Sequence, residues 1–244
     1  MPVLSIVIPA YNEGAFIATL LERILTVPVE SLGFQKELVV VDDGSKDNTG
    51  EVARDFAERF PQQVKAFTQV PNQGKGAAVR RGIREATGDY VLIQDADLEY
   101  DPDDYLDLLR GLKRGDVVYG SRIKGQYRDG HTFPFPGKHE QQSVGPWTAG
   151  VLLTLWTALV YQRWITDTLT AYKLYPAQAV KQMNLQTSGF ETDHEITARL
   201  IRQGLRIVEV PIRYYPRSVD EGKKIKPSDG VIAVWTLLKY RFVK

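Results

Sequence analysis

Val91-Leu-Ile-Gln94-Asp95-Ala96-Asp97-Leu98-Glu99-Tyr100 is an apolar run that stops at three alternating carboxylates. Side chains alternate across a strand, so positions i, i+2 and i+4 share a face for as long as the extended backbone persists. On that reading Asp95, Asp97 and Glu99 converge on one spot at a strand end. Carboxylates packed so closely repel each other and raise their own pKa values unless a cation sits among them. A hard divalent ion held by one or two carboxylates and completed by phosphate oxygens is the usual magnesium arrangement at nucleotide sites. A second Asp-x-Asp, Asp101 and Asp103, flanks Pro102 and reads as the start of a helix instead.

Outward from this stretch, strands and helices alternate. Apolar runs predict strands at residues 3–8, 37–41, 64–68, 90–93 and 117–119. Helical spacing predicts helices at residues 15–27 (Phe16, Leu20, Leu21, Ile24), 48–60 (Val52, Phe56, Phe60), 76–86 and 103–112. Such a rhythm argues for an α/β fold: a mostly parallel sheet covered by helices on both faces. Ligands of such sheets bind outside the carboxyl ends of the strands. Three polar clusters fall there, at residues 9–13, 42–45 and 95–99.

Composition removes several function classes. The 244 residues, 43% of them hydrophobic, suffice for one large α/β domain or two small ones. With 31 basic and 30 acidic residues the net charge is +1, so no global field favours nucleic acid. Without cysteine there is neither a disulfide framework nor a zinc–cysteine site. Met1 leads almost directly into an apolar strand, with no basic leader and no cleavage site, so no signal peptide is expected. The first strand runs into Pro9-Ala-Tyr11-Asn12-Glu13, which is not a dinucleotide glycine fingerprint, and no Walker loop is present. Asn72-Gln-Gly74-Lys75-Gly76 either brings backbone and a lysine to a phosphate or simply opens a helix.

Taken in order, Pro9-Ala-Tyr11-Asn12-Glu13, Asp42-Asp43-Gly44-Ser45-x-Asp47-x-Thr49, Asn72-x-Gly74-Lys75-Gly76 and Asp95-Ala-Asp97 resemble the inverting GT-A glycosyltransferases of family 2. Gly120-Ser-Arg122, Thr166-Asp167, Tyr172-Lys173-Leu174, Gly189-Phe-Glu191 and Glu209-Val-Pro211-Ile-x-Tyr-x-x-Arg217 resemble its dolichyl-phosphate mannose and glucose synthase branch. The resemblance implies a single Rossmann-like GT-A catalytic domain over residues 1–228. Residues 1–120 would be its nucleotide-sugar half and 121–228 its acceptor half, with a C-terminal amphipathic helix at 229–244.

The resemblance also implies roles. Pro9, Tyr11, Glu13 and Asp43 hold the nucleoside of a nucleotide-sugar such as GDP-mannose or UDP-glucose, and Lys75 and Asp95 lie at its phosphates. Asp97, helped by Asp95 and Glu99, holds Mg²⁺ or Mn²⁺ on the pyrophosphate. The mannose-phosphate synthases often carry glutamine where Glu99 stands, so the acid here adds charge at the metal. Arg122 and Arg217 match phosphate-contacting arginines, Lys223 and Lys224 match a trailing basic segment, and Asp167 organises the acceptor side. This chain departs from an arginine-rich stretch after Arg122, having Arg128, His131 and then Phe133-Pro-Phe-Pro136. The acceptor implied is a polyprenyl phosphate. Its second pKa of ~6 makes it an anion already at neutral pH, so cations matter more than a general base.

Among the remaining carboxylates, Glu191 and Glu195 share a helix face, and Asp193 reads as a first-turn charge at that helix's N-terminus. His131, His139 and His194 lack metal-ligand spacing and read as surface or loop residues. Residues 141–162 carry no charge, and 147–161 are strongly apolar. Those 15 residues span about 22 Å as a helix, short of a bilayer core near ~30 Å. They read as an interfacial helix or, alternatively, a buried one. Near the C-terminus Val231, Val234, Trp235, Leu238 and Phe242 form a stripe with Lys239, Arg241 and Lys244 at its end; it fits a membrane surface or simple docking on the core. No transmembrane helix follows, so a peripheral enzyme at the cytoplasmic face of a membrane is expected. The competing readings are a hydroxyl acceptor served by one of Asp167, Glu191, Asp193 or Glu195, a nucleotidyltransferase, and a non-catalytic nucleotide-sugar sensor.

Overall fold

The structure is a computed structural model describing residues 1–128, 144–216 and 227–243. Strands β1 (Val3–Ala10), β2 (Gln35–Asp42), β3 (Val64–Thr68), β4 (Tyr90–Ile93), β5 (Val117–Ser121), β6 (Lys173–Pro176) and β7 (Ile207–Pro211) form one sheet of order β3-β2-β1-β4-β6-β5-β7. All pairings are parallel except those of β6, which runs antiparallel between β4 and β5. Two-residue alternation divides the core. Leu4, Ile6, Ile8, Leu38 and Val40 face one layer, while Val7, Val39, Val41, Val91 and Ile93 face the other. Both faces are therefore apolar, as a parallel sheet requires.

The predicted helices appear as α1 (Ile17–Thr26), α2 (Thr49–Arg59), α3 (Lys75–Glu85) and α4 (Tyr105–Gly111). α1 begins two residues later than its spacing suggests, and it buries Ile17, Leu20, Leu21 and Ile24. Asp101 caps a short 3-10 turn ahead of α4, accepting Asp103 N–H at 3.1 Å, the helix-start role expected of that Asp-Pro-Asp.

α5 (Arg122–Arg128) follows β5 directly, α6 is Val144–Tyr161 and α7 is Ala177–Lys181. α8 (Thr192–Arg202) and α9 (Pro227–Phe242) pack with α6 around a separate cluster of Leu153, Tyr161, Ala198, Ala233, Leu237 and Tyr240. Tyr161 Oη donates to Leu237 O at 2.7 Å, and Trp156 Nε1 donates to Val234 O at 3.2 Å. The face that α9 buries is Ala233, Thr236, Leu237 and Tyr240, and not the stripe picked out from the sequence. Val231, Val234, Trp235 and Phe242 point outward, as do Leu152, Leu155 and Leu159 of α6. Among the described residues no helix is long and apolar enough to cross a membrane.

Candidate active site

Two loops at the carboxyl ends of β1 and β2 are laced together by hydrogen bonds. Asn12 N–H donates to Ser45 Oγ at 2.9 Å, Lys46 N–H to Asn12 Oδ1 at 2.8 Å and Glu13 N–H to Thr49 Oγ1 at 2.9 Å. Pro9 and Glu13 are buried and Tyr11 is half-buried. Asp42 is the turn residue of this pair, accepting Ser45 N–H at 3.0 Å. Asp43, buried, accepts Gln69 Nε2 at 2.5 Å, Gln73 N–H at 2.8 Å and Gly74 N–H at 2.8 Å. A carboxylate has about four acceptor positions, so Asp43 pins the glycine–lysine turn and keeps room for a further donor.

That turn spends part of its backbone within the protein. Two of its amides go to Asp43, and Ala77 N–H, in the first turn of α3, donates to Ser188 O at 3.2 Å. The approach is tight enough to demand glycine. A Cβ on Gly76 would lie 1.9 Å from Thr192 Oγ1, and Gly74 has φ +95° with Ser188 O 2.6 Å from where its Cβ would be. Lys75 is what reaches the site. Its Nζ lies 2.7 Å from Asp95 and 3.7 Å from Asp193, over the Phe190 ring at 5.6 Å. Burial alone would lower its pKa; Asp95 and Asp193 outweigh that and hold it above the usual lysine range.

The carboxylate stretch departs from simple alternation. β4 ends at Ile93 and the chain turns through residues 96–99, with Leu98 in the left-handed region at φ 60°. Asp95 meets Lys75, and half-buried Asp97 accepts Glu99 N–H at 3.1 Å. Glu99 Oε2 accepts Tyr214 Oη at 2.9 Å. Among the described residues no group of three carboxylate, cysteine or histidine side chains is arranged to hold a metal, and past Ile93 the chain is no longer the extended strand on which Asp95, Asp97 and Glu99 would share a face. The Asp95 carboxyl is held above its ordinary range by burial and by the charge of Asp97, with Lys75 opposing. Gln94 holds the turn from beneath. Its Oε1 accepts Tyr105 Oη and Tyr172 Oη, both at 2.6 Å, and its Nε2 donates to Asp95 O at 2.8 Å.

Arg122 lies at the end of β5, its guanidinium held by Asp167 through Nε at 2.7 Å and Nη2 at 2.7 Å. Asp167 also accepts Arg122 N–H at 3.0 Å, and the Arg122 face lies 4.8 Å from the Tyr214 ring centroid. The bidentate pair uses two of the five N–H donors of the guanidinium. Burial disfavours both charges, yet each holds the other ionised: Asp167 lies below and Arg122 above its usual range. Glu209 fixes the Asp167 loop, its Oε1 accepting Thr166 N–H at 2.8 Å and Asp167 N–H at 3.1 Å.

Several assignments are extended or changed. Asp193 lies in the first turn of α8, as its sequence position predicts, and is in addition the shared counter-ion of Lys75 and of Lys173, whose Nζ is 4.0 Å away. Lys173 is 0% exposed and its ammonium has no hydrogen-bond partner, so burial pulls its pKa down. Lys173 falls in the quoted Tyr-Lys-Leu motif, but only the antiparallel β6 reveals that its side chain reaches toward Asp193. His194 is a buried core residue rather than a surface one. Glu195 organises residues 186–187, accepting Gln186 N–H at 3.0 Å and Thr187 N–H at 2.9 Å, and pairs with Arg199 at 2.8 Å. Arg217, Lys223, Lys224, His131, His139 and residues 133–136 lie outside the described residues.

An α/β sheet with a carboxylate–lysine cluster and an ion-paired arginine at its carboxyl edge has these charges where ligands of such sheets bind. The chain belongs to glycosyl transferase family 2, whose profile matches residues 5–161. It is similar to a dolichol-phosphate mannosyltransferase of Pyrococcus furiosus, 32% identical over 221 residues. That match takes in 90% of this chain and 58% of the Pyrococcus protein, so the chain spans less than two thirds of that relative. An undecaprenyl-phosphate mannosyltransferase of Micrococcus luteus is 30% identical over 243 residues, 95% of this chain and 90% of that protein. In fold, the chain matches glucosyl-3-phosphoglycerate synthase of Mycobacterium tuberculosis, crystallised with Mn²⁺, UDP-glucose and phosphoglyceric acid. The TM-score is 0.68 at 20% identity, covering 100% of this chain and 81% of that one.

Proposed function

We propose that this chain transfers a hexose, with inversion, from a nucleotide-sugar such as GDP-mannose or UDP-glucose to a polyprenyl phosphate at a membrane surface. The observation that carries the reading is that the Asp95–Lys75 cluster with Asp97 and the Arg122–Asp167 pair lie at one edge of the sheet, bridged by Glu99 and Tyr214. The buried Tyr100 hydroxyl feels the charges of Arg122, Asp167 and Asp95 together. Asp95 and Asp97 are hard oxygen donors in mutual repulsion, the condition that Mg²⁺ or Mn²⁺ relieves, with diphosphate oxygens completing its shell. When bound there, the ion supplies Lewis-acid stabilisation of the departing nucleoside diphosphate. Lys75 adds a fixed positive charge beside it. Pro9, Tyr11, Glu13 and Asp43 form the nucleoside end of the groove.

Arg122 holds the acceptor phosphate; Arg217 joins it on the resemblance alone. A phosphate acceptor suits these carboxylates better than a hydroxyl acceptor does. A general base must be free to take a proton. Asp167 is committed to Arg122, Asp193 to two lysines and Glu195 to backbone amides and Arg199. All three are held below the usual carboxylate range: burial opposes this, and their cations and hydrogen bonds prevail. Half-buried Glu191, which accepts Gly189 N–H at 3.1 Å, is the remaining candidate for the hydroxyl reading.

The lipid surface enters through α6 and α9. Leu152 (66% exposed), Leu159 (72%), Val231 (73%) and Trp235 (62%) form outward apolar faces on the two packed helices. Exposed Arg163, Lys239 and Arg241 supply positive charge at the ends of these helices. Apolar side chains with cationic neighbours suit an interface rich in anionic lipid, and the cytoplasmic face of a membrane is proposed. The test is release of nucleoside diphosphate over a panel of nucleotide-sugars, with Mg²⁺ or Mn²⁺ and with or without a short polyprenyl phosphate. One donor class should be turned over, with the metal required and the phosphate lipid accelerating release at least tenfold. Release stimulated by a glycolipid hydroxyl and not by the phosphate lipid overturns the acceptor assignment.

A further inference from the structure

Lys173 is fully buried, and among the described residues its ammonium finds no hydrogen-bond acceptor. It projects from β6, in register with Tyr119 of β5, and its Nζ lies 5.3 Å from the Tyr119 ring centroid. Asp193 Oδ1 is 4.0 Å from that Nζ. The other oxygen, Asp193 Oδ2, lies 3.7 Å from Lys75 Nζ, which in turn is 2.7 Å from Asp95 Oδ1. Charges therefore alternate along a row: Asp95, Lys75, Asp193, Lys173.

A buried ammonium without hydrogen bonds is costly, and an unbranched apolar side chain would fill the same space without that cost. Packing alone does not account for a lysine here. Burial disfavours its charge, Asp193 favours it and Lys75 disfavours it, while Asp167 and Arg122 act on it in opposite senses. What the lysine provides is a cation for one oxygen of Asp193, the other oxygen facing Lys75. The adjacent His194 supplies none. Burial and the charge of Lys173 push its pKa down to about 3, with Asp193 opposing, so its ring is neutral near pH 7. Among the described residues the two lysines are the cations paired with Asp193.

We infer that Lys173 is a positioning residue for the donor diphosphate: by occupying Asp193 it keeps the Lys75 ammonium available to phosphate oxygens. The inference rests on the proposed place of Lys75 beside that diphosphate. With Lys173 present, Asp193 is already partly neutralised, and its pull on Lys75 is weak. Once a cation takes Asp95, the attraction left to Lys75 is the diphosphate. Without Lys173, Asp193 is paired with Lys75 alone and draws it from the phosphates. Lys173, buried on β6, acts through Asp193 and not by contact with the ligand. One consequence is specific to this arrangement: the need for Lys173 disappears when the charge of Asp193 does.

The test is calorimetry of UDP and of GDP, each with Mn²⁺, on the full chain and on Lys173→Met, Asp193→Asn and their combination. Melting temperature is measured beside it, and the nucleotide that the unaltered chain binds is the probe. Lys173→Met keeps the stem and loses the charge; it should weaken binding about tenfold, the scale of one charge-assisted contact. Asp193→Asn should stay within about threefold of the unaltered chain, and the combination should return to within about threefold of it. Undiminished affinity in Lys173→Met overturns the inference. So does a combination as weak as Lys173→Met, since a purely structural loss is not restored by a second substitution. Where Lys173→Met does not fold, Asp193→Asn is read alone. Retained affinity there supports a Lys75 that serves phosphate without Asp193, and a loss of about tenfold or more overturns the inference. An unaltered chain that binds neither nucleotide fails the proposed donor, and the inference falls with it.

Discussion

The carboxyl edge of β1, β2 and β4 and the α6–α9 layer satisfy their groups in opposite ways. At the sheet edge, polar side chains are spent on one another and on backbone amides. Asp43 pins the glycine–lysine turn, Gln94 takes two tyrosine hydroxyls, and Asp167 takes an arginine by two bonds. In α6 and α9 the intrahelical bonds leave side chains free to be apolar, and they are apolar inward (Leu153, Leu237) and outward (Leu152, Trp235). A rigid, charged edge suits a small phosphorylated ligand that must be oriented. A helix pair that exposes leucine and tryptophan suits an environment without water. On the proposed function, the first region orients a ligand and the second rests against lipid.

The sharpest way to break that contrast is at Asp97. Asp97→Ala should cut transfer at least a hundredfold, since a Lewis-acid contact contributes several kcal/mol to the transition state. Calorimetry should show metal-dependent nucleotide binding lost while melting changes little, because the Asp97 side chain is half-buried in a turn rather than packed in the core. Undiminished metal and nucleotide affinity in that variant removes Asp97 from the site.

The two regions also differed in how readily their sequence could be read. The strands at residues 64–68 and 90–93 are runs bounded by polar turns, and their observed limits match. β6 escaped because four residues of Lys-Leu-Tyr-Pro carry neither alternation nor length, and its burial comes from neighbouring strands. With β6 missing, Lys173 had no place beside Asp193, which stands in the first turn of α8 as its sequence position predicts and also faces two lysines. Alternation carried Asp95 into the site, but it does not describe Glu99 beyond the left-handed Leu98. In α9 the apolar stripe was visible, while its direction was not, because Ala233, Thr236 and Tyr240 form the buried face with less hydrophobic contrast than the exposed one. Which face is covered is a property of the partner helices, not of the segment.

A smaller effect is expected at the outward helix face. Leu152→Lys with Leu155→Lys should weaken sedimentation with anionic vesicles at least tenfold, given about 1.5–3 kcal/mol for each leucine moved from water into an apolar layer. Release of nucleoside diphosphate without lipid should be unchanged, since neither side chain approaches the carboxylate turn. A chain that stays in solution beside vesicles, altered or not, separates the exposed face from any lipid role and weakens the lipid acceptor with it.

The smallest effect lies where the two regions meet. His194 sits on α8 between Asp193, which faces the lysines of the crevice, and the packing against α9. It is buried, its Nδ1 has no hydrogen-bond partner, and burial together with the charge of Lys173 pushes its pKa down to about 3, with Asp193 opposing. In the unfolded chain the same imidazole titrates near ~6.5. Between those values the unfolded state binds the extra proton, so this contribution is complete above pH ~6.5 and is lost as pH falls toward 3. At pH 5.5 one group shifted this way lowers stability by about 1.4 kcal/mol relative to pH 7.5, or roughly 3–5 °C in melting temperature for a chain of this size. Asp95 and Asp104 act in the opposite sense, since burial holds their carboxyls above the ordinary range. The measure is therefore the difference between the unaltered chain and His194→Gln. The variant should lose less of its melting temperature between pH 7.5 and pH 5.5, by about that amount. Equal losses in the two proteins mean that His194 is hydrated or charged in the fold, and that the junction between crevice and helix layer is not dry.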